Sequence, residues 1–263
     1  MKYLFGFILI FTFLSCEKVI DIPLNEADRV IVVEAILKDQ PGVSFVKLSK
    51  TASVYEETTF PRVSGAEVVV TDDNGGQFVF LESTPLSGIY THSTFVVEEN
   101  TTYSLKVVSE NEEVTAVSST RSKPDIDSLT YSLEVFGFGG EEFETYLMEY
   151  HSQENGNETN HYRLKIWVNE KEVEIYYLGD DQFINGQYYE AQFFGTSPDL
   201  GDSVRIEMLE MDEVMYRYYI GLSNELDASP FSAAPSNPPT NLVGNALGYF
   251  GVFMTDTASV VIQ

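Results

Sequence analysis

From Arg29 onward the chain is written in short runs that alternate apolar with polar residues or stack β-branched ones, cut by turn formers. That pattern restricts it to β-structure. Val30-Ile31-Val32-Val33 and Phe45-Val46-Lys47-Leu48 open the series. Residues 66–71 and 77–81 flank Asp72-Asp73-Asn74-Gly75-Gly76, whose Asn-Gly pair predicts a tight hairpin with positive φ at both central positions. Residues 103–107 and 114–117, joined through Ser109-Glu110-Asn111-Glu112, predict a second hairpin. With no helical period between them, these strands predict a β-sandwich over residues 29–124, closed by Pro124, which cannot donate into a sheet interior.

A second β-rich domain, residues 125–263, follows. Tyr162-Arg163-Leu164-Lys165-Ile166-Trp167-Val168 and Val173-Glu174-Ile175-Tyr176-Tyr177 predict a hairpin turning at Asn169-Glu170-Lys171, with Tyr162, Leu164, Ile166 and Val168 on one face. Residues 203–208 continue the strand pattern. The period then changes: Val214, Met215, Tyr218, Leu222 and Leu226 recur at helical spacing, so one amphipathic helix packs on the sheet. Pro230, Pro235, Pro238 and Pro239 exclude both helix and central strand from residues 228–241. Residues 247–254 are apolar on both faces and predict a buried central strand, with Gly248 and Gly251 marking close backbone approach beside core Tyr249 and Phe250. The fold class is therefore mainly β: two β-sandwich-like domains, the second carrying one helix.

Such a fold has to stand on packing. Hydrophobic residues make up 43% of the chain, enough for a core, while its single cysteine forms no internal disulfide and no cysteine cluster for zinc or iron-sulfur. Against 15 Lys+Arg stand 41 Asp+Glu, and the resulting charge of -26 repels a polyphosphate backbone, which excludes nucleic acid as a partner.

The first residues are of a different kind. Lys2 precedes an uncharged, mostly apolar run from Tyr3 to Leu14, and Ser15 and Cys16 follow, the layout of a signal peptide over residues 1–15. As a helix that run rises only about 18 Å, short of a hydrocarbon core of roughly 30 Å, so it predicts an export signal and not a permanent span. Phe13-Leu14-Ser15-Cys16 resembles the lipobox of bacterial lipoproteins, with Phe13 where Leu is usual. Cys16 is then expected to carry the lipid as first residue of the mature protein; the bland reading is a free thiol. Residues 16–28 would form the lipidated tether, reaching at most about 40 Å from the membrane.

Ser15-Cys16-Glu17-Lys18-Val19-Ile20-Asp21-Ile22, Val63-Ser64-Gly65-Ala66-Glu67-Val68-Val69-Val70-Thr71-Asp72, Asn237-Pro238-Pro239-Thr240-Asn241 and Gly248-Tyr249-Phe250-Gly251 resemble a family of Bacteroidota lipoproteins catalogued as domain of unknown function 4249. The resemblance covers nearly the whole mature chain. It implies an immunoglobulin-like or transthyretin-like first sandwich, an outer-membrane lipid anchor, on the periplasmic or the surface face, and an accessory role beside TonB-dependent transporters. It brings no catalytic residues with it.

Candidate chemistry is sparse. His92, His151 and His161 lie in no metal-binding or nucleophile spacing, although His151 and His161 flank a polar stretch and could approach each other. Asp72-Asp73-Asn74-Gly75 is similar to part of a calcium loop but lacks the distal Glu, and Asp180-Asp181 reads as a solvated turn. Carboxylates are too abundant for any pair to single out a glycosidase. No catalytic residue, metal site or cofactor is assigned. Phe136-Gly137-Phe138-Gly139-Gly140 reads either as an irregular binding loop or as a β-bulge with core phenylalanines, and Phe231 among the prolines has the same ambiguity. Phe136, Phe138 and Phe231 are the candidate partner contacts. The leading function is a non-catalytic accessory that binds a partner or ligand, with a TonB-dependent transporter as the partner. The alternatives are a structural or adhesive surface module and a hydrolase of undefined substrate.

Overall fold

Alternation builds the first layer. In β1 (Ile31–Lys38) the side chains of Ile31, Val33, Ala35 and Leu37 are buried and their neighbours are not, as one-sided burial of a pleated strand requires. The computed structural model describes residues 28–52, 60–110, 112–138, 141–226 and 237–263. β1 is followed by β2 (Phe45–Lys50), β3 (Glu67–Asp72), β4 (Gln77–Glu82), β5 (Ile89–Thr91), β6 (Thr102–Ser109) and β7 (Glu112–Ser119). β4 pairs with β3 at one end and with β5 at the other, so the ladder folds over on itself there. The β1-β2-β5 side then faces β3-β6-β7, and Val33, Leu48, Val70, Tyr103 and Leu105 meet in one core. The β3–β4 turn departs from the two-residue expectation. Gly75 has φ +90°, Asn74 is not in the left-handed region, and the Asp72 carboxylate closes a longer loop by accepting from Asn74 N (3.0 Å) and Gly76 N (2.6 Å).

The remaining strands are β8 (Ile126–Phe138), β9 (Glu141–Gln153), β10 (His161–Val168), β11 (Lys171–Glu172), β12 (Tyr177–Asp180), β13 (Tyr188–Phe193), β14 (Ser203–Met211), β15 (Leu242–Val243) and β16 (Ala246–Val261); the helix α1 (Glu213–Leu226) follows β14. A three-stranded sheet, β13-β9-β8, packs on β10-β14-β16, joining Ile126, Leu129, Met148 and Phe193 to Leu164, Ile166, Val204 and Met208. Leu164 and Ile166 are buried, with Tyr162 and Val168 packed around them. The predicted partner strand over residues 173–177 is broken. After a two-residue turn at Asn169 and Glu170, both with positive φ, only β11 pairs before a tight turn, Ile175 N to Val173 O at 2.9 Å, lifts the chain away until β12. That detour sends Tyr176 to the helix side, where the Arg163 guanidinium packs against both the Tyr176 and Tyr219 rings, at 4.4 and 4.6 Å.

Asp212 caps α1, accepting from Met215 N at 2.9 Å, and the helix buries Met215 and Tyr219 against Leu209, Met211 and Phe253. Two residues of the predicted apolar stripe, Val214 and Leu226, are exposed instead. The buried stripe is centred on Met215 and Tyr219, which turns Val214 outward and leaves Leu226 in the last turn.

β16 belongs to both sandwiches. Its residues 246–253 pair in parallel with β1 and its residues 254–261 antiparallel with β14. Phe250, Val252 and Met254 enter the first core, Ala258 and Val260 the second. At Gly248, with φ +103°, a Cβ would lie 2.0 Å from Val33 O, so only glycine lets the two strands approach there. Asn241 closes the other edge with its side chain, Oδ1 accepting from Phe250 N (3.0 Å) and Nδ2 donating to Phe250 O (2.6 Å). Polar ties cross between the sandwiches: Lys38 Nζ to Glu207 at 2.7 Å, Ser118 Oγ to Asp212 at 2.7 Å, and Arg121 N to Glu210 at 3.1 Å. Among the described residues, no helix is long and apolar enough to cross a membrane.

Candidate functional site

Cys16 and Phe231 lie outside the described residues, and of Phe138 only the backbone is described. That backbone and Phe136 sit at the outer end of β8, in a regular ladder: Phe136 opposite Phe143, Gly137 opposite Glu142, Phe138 opposite Glu141. The segment through Phe138 is therefore neither an irregular loop nor a bulge. The register shift of this hairpin falls at the other end, between Ile126 and Ser128. Strand-forming Leu133, Val135 and Phe136 outweigh the local freedom of the glycines. Phe136 is 40% exposed, so it is not core either.

The hairpin is longer than the sandwich that holds it. β13 pairs with β9 only over residues 148–153, while β8 and β9 continue to each other out to Phe138 and Glu141. The face that carries Leu129 and Tyr131 toward the core carries Leu133 and Val135 next, and both of these are exposed. Where β13 leaves the ladder, residues 194–197 stand off from β9 and enclose a groove of about 370 Å³ with Phe136, Glu144, Tyr146, Leu147 and Phe193. Phe194, on its wall, is exposed. The Thr196 hydroxyl, on the same wall, is buried and has no hydrogen-bond partner among the described residues, an arrangement that costs desolvation until something bonds to it.

A smaller cavity, about 200 Å³, adjoins it across Phe193 and is lined by Tyr150, Tyr162, Tyr177 and Tyr189. Burial pushes the Tyr150 and Tyr162 phenols far above the usual tyrosine value, so they act as neutral hydrogen-bonding groups and not as bases or nucleophiles.

The outer face of the three-stranded sheet holds a metal-capable set that chain spacing did not reveal. Glu149 and His151, two apart on β9, share a face with Glu190, directly opposite His151 on β13, and one ligand atom from each falls within 4.8 Å of the others. The ring is already engaged: Nε2 is 3.4 Å from Glu149 and 3.1 Å from Thr130 Oγ1, and Nδ1 is 3.5 Å from Glu190. His161, by contrast, lies on the opposite sheet and packs on the Tyr216 ring at 4.7 Å, and His92 is enclosed by Phe78, Phe80 and Phe95. The Asp72 carboxylate is spent on its turn and Asp73 accepts from Thr102 N at 3.3 Å. Asp181 is not in a solvated turn: it is buried and accepts from Asn160 N at 3.0 Å.

The groove thus combines aromatic walls, an unsatisfied hydroxyl and one carboxylate, Glu144, which suits it to holding a segment of another molecule. Phe194 and Thr196 were missed from sequence, although Phe193-Phe194-Gly195 is an aromatic pair beside a glycine of the same kind as Phe136-Gly137. None of the curated proteins matches this chain. Residues 17–259 match the family model described as Domain of unknown function (DUF4249), and a match over nearly the whole length places the chain in that family.

Proposed function

We propose that this protein is a lipoprotein of the outer membrane, anchored through Cys16, that acts without catalysis by binding a TonB-dependent transporter through its second sandwich. The observation that carries the binding role is the outer end of the β8–β9 hairpin, where exposed Phe136 and Phe194 line a groove and Leu133 and Val135 of β8 are exposed on the other face of the strand. Exposed apolar clusters on a rigid scaffold mark contact surfaces, and aromatic residues supply most interface energy. Phe138 and Phe231 belong to the same proposed contact. The anchor rests on the apolar run that ends at the only cysteine, and the short tether keeps the first sandwich near the membrane.

Two variants test the two halves of this reading. Cys16→Ser should release the protein from the envelope or leave the uncleaved precursor; an acyl-labelled, fully membrane-bound variant removes the anchor. Gentle detergent extraction with a C-terminal tag should bring down a TonB-dependent transporter. Phe136→Ala and Phe194→Ala should each reduce its recovery at least tenfold with an unchanged melting temperature. Full recovery with both places the contact elsewhere.

A further inference from the structure

The way β13 ends exposes more than a groove. Among the described residues, no strand pairs with residues 142–147 of β9 on the side that β13 occupies further along. An edge of this kind leaves alternate backbone N–H and C=O groups open, a template for one more strand. The groove between β9 and residues 194–197 lies where a longer β13 would have continued, and the unpartnered Thr196 hydroxyl lines it.

Charge narrows the occupant. β8, β9 and β13 together carry seven carboxylates and neither Lys nor Arg. On the open edge, Glu142 and Glu144 share a face with Leu133 and Val135 of β8, while Thr145 and Leu147 share the other with Phe136. A second copy of the same edge would set these carboxylates against their like. A strand that alternates cationic with apolar residues would place the first toward Glu142 and Glu144 and the second toward Leu147 and Phe136.

We propose that an extended, basic segment of the partner protein adds to β9 as a strand along residues 142–147, its apolar side chains in the groove. This rests on the partner-binding reading and specifies its mode. The test uses the mature full chain and a synthetic ten-residue peptide of alternating Lys and Val. It should bind by fluorescence anisotropy, slow amide exchange across residues 142–147, and weaken at least tenfold at high salt or in a Glu142→Lys/Glu144→Lys variant that melts normally. The same peptide with a central proline should bind at least tenfold more weakly, because proline breaks the ladder. No binding, equal binding of the proline peptide, or protection elsewhere overturns the proposal. The two readings fail separately. A transporter recovered as well with the double variant but lost with Phe194→Ala leaves the partner reading and removes strand addition. Peptide binding without any transporter does the reverse.

Discussion

Glu210 is a carboxylic acid whose ionisation burial strongly opposes. Its side chain is fully enclosed at 0% exposure, Oε2 accepts from Arg121 N, and Oε1 has no partner among the described residues. Burial pushes its carboxyl up to about 8, with the Arg121 N–H pulling the other way. The folded protein therefore keeps a proton that the unfolded chain releases above its ordinary value of 4.5. Stability falls as pH rises between those values, by about 1.4 kcal/mol per pH unit from this group, and levels off above them. Glu154 is buried and raised as well, and contributes with the same sign. Urea unfolding of Glu210→Gln across pH 5 to 9 should show a clearly flatter slope than the parent, with a gain in stability at pH 8. An unchanged slope would mean that the carboxyl ionises in the fold.

At the scale of elements, α1 is tied to the molecule by its cap. Asp212 holds the first turn through Oδ1, and its Oδ2 accepts from Ser118 Oγ and from Ser119 N (3.1 Å) on β7. One carboxylate thus seats the helix of the second sandwich on the first. Asp212→Ala removes the cap and strands two donors, which should cost roughly 2–4 kcal/mol in chemical denaturation. Asp212→Asn, able to cap, should recover about half. A loss below 1 kcal/mol for the alanine variant would show that the helix is held by Met215 and Tyr219 alone. The β8–β9 hairpin is the opposite kind of element: its inner half is core, and its outer half is held by its own ladder. Substitutions at Leu133 or Val135 should therefore leave stability nearly unchanged.

For the whole molecule, the shared strand makes unfolding a single event. Phe250 and Val252 fill the first core, Ala258 and Val260 of the same strand pack on the second, and Lys38–Glu207 bridges β1 to β14. Neither sandwich keeps its packing if β16 leaves. Trp167, the only tryptophan, reports on β10 in the second sandwich and lies beneath the Arg205 guanidinium at 3.7 Å. Its fluorescence and far-UV circular dichroism should trace one coincident thermal transition. Two resolved transitions would separate the sandwiches energetically.

The sequence alone determined the local features of this protein. Alternation in residues such as Ile31, Val33 and Leu164 sets which face of each strand is buried, a property of neighbours two apart. The change of period at Asp212 sets the helix, and Gly248 announces backbone contact, whereas Gly251, expected to do the same, makes room for the Phe253 ring and the Met215 side chain. Partnership between distant strands is not local, and an alternating strand pairs equally well with many others. Only the tertiary structure decided that β16 runs beside β1 in parallel and then beside β14, and that the carboxyl of Glu210 is sealed among other elements. The candidate site divides the same way. Phe136 was legible as an aromatic next to a glycine, but its exposure, the groove with Phe194 and Thr196, and the open edge of β9 arise because β13 ends before the hairpin does. That mismatch in length exists only between elements already paired in space.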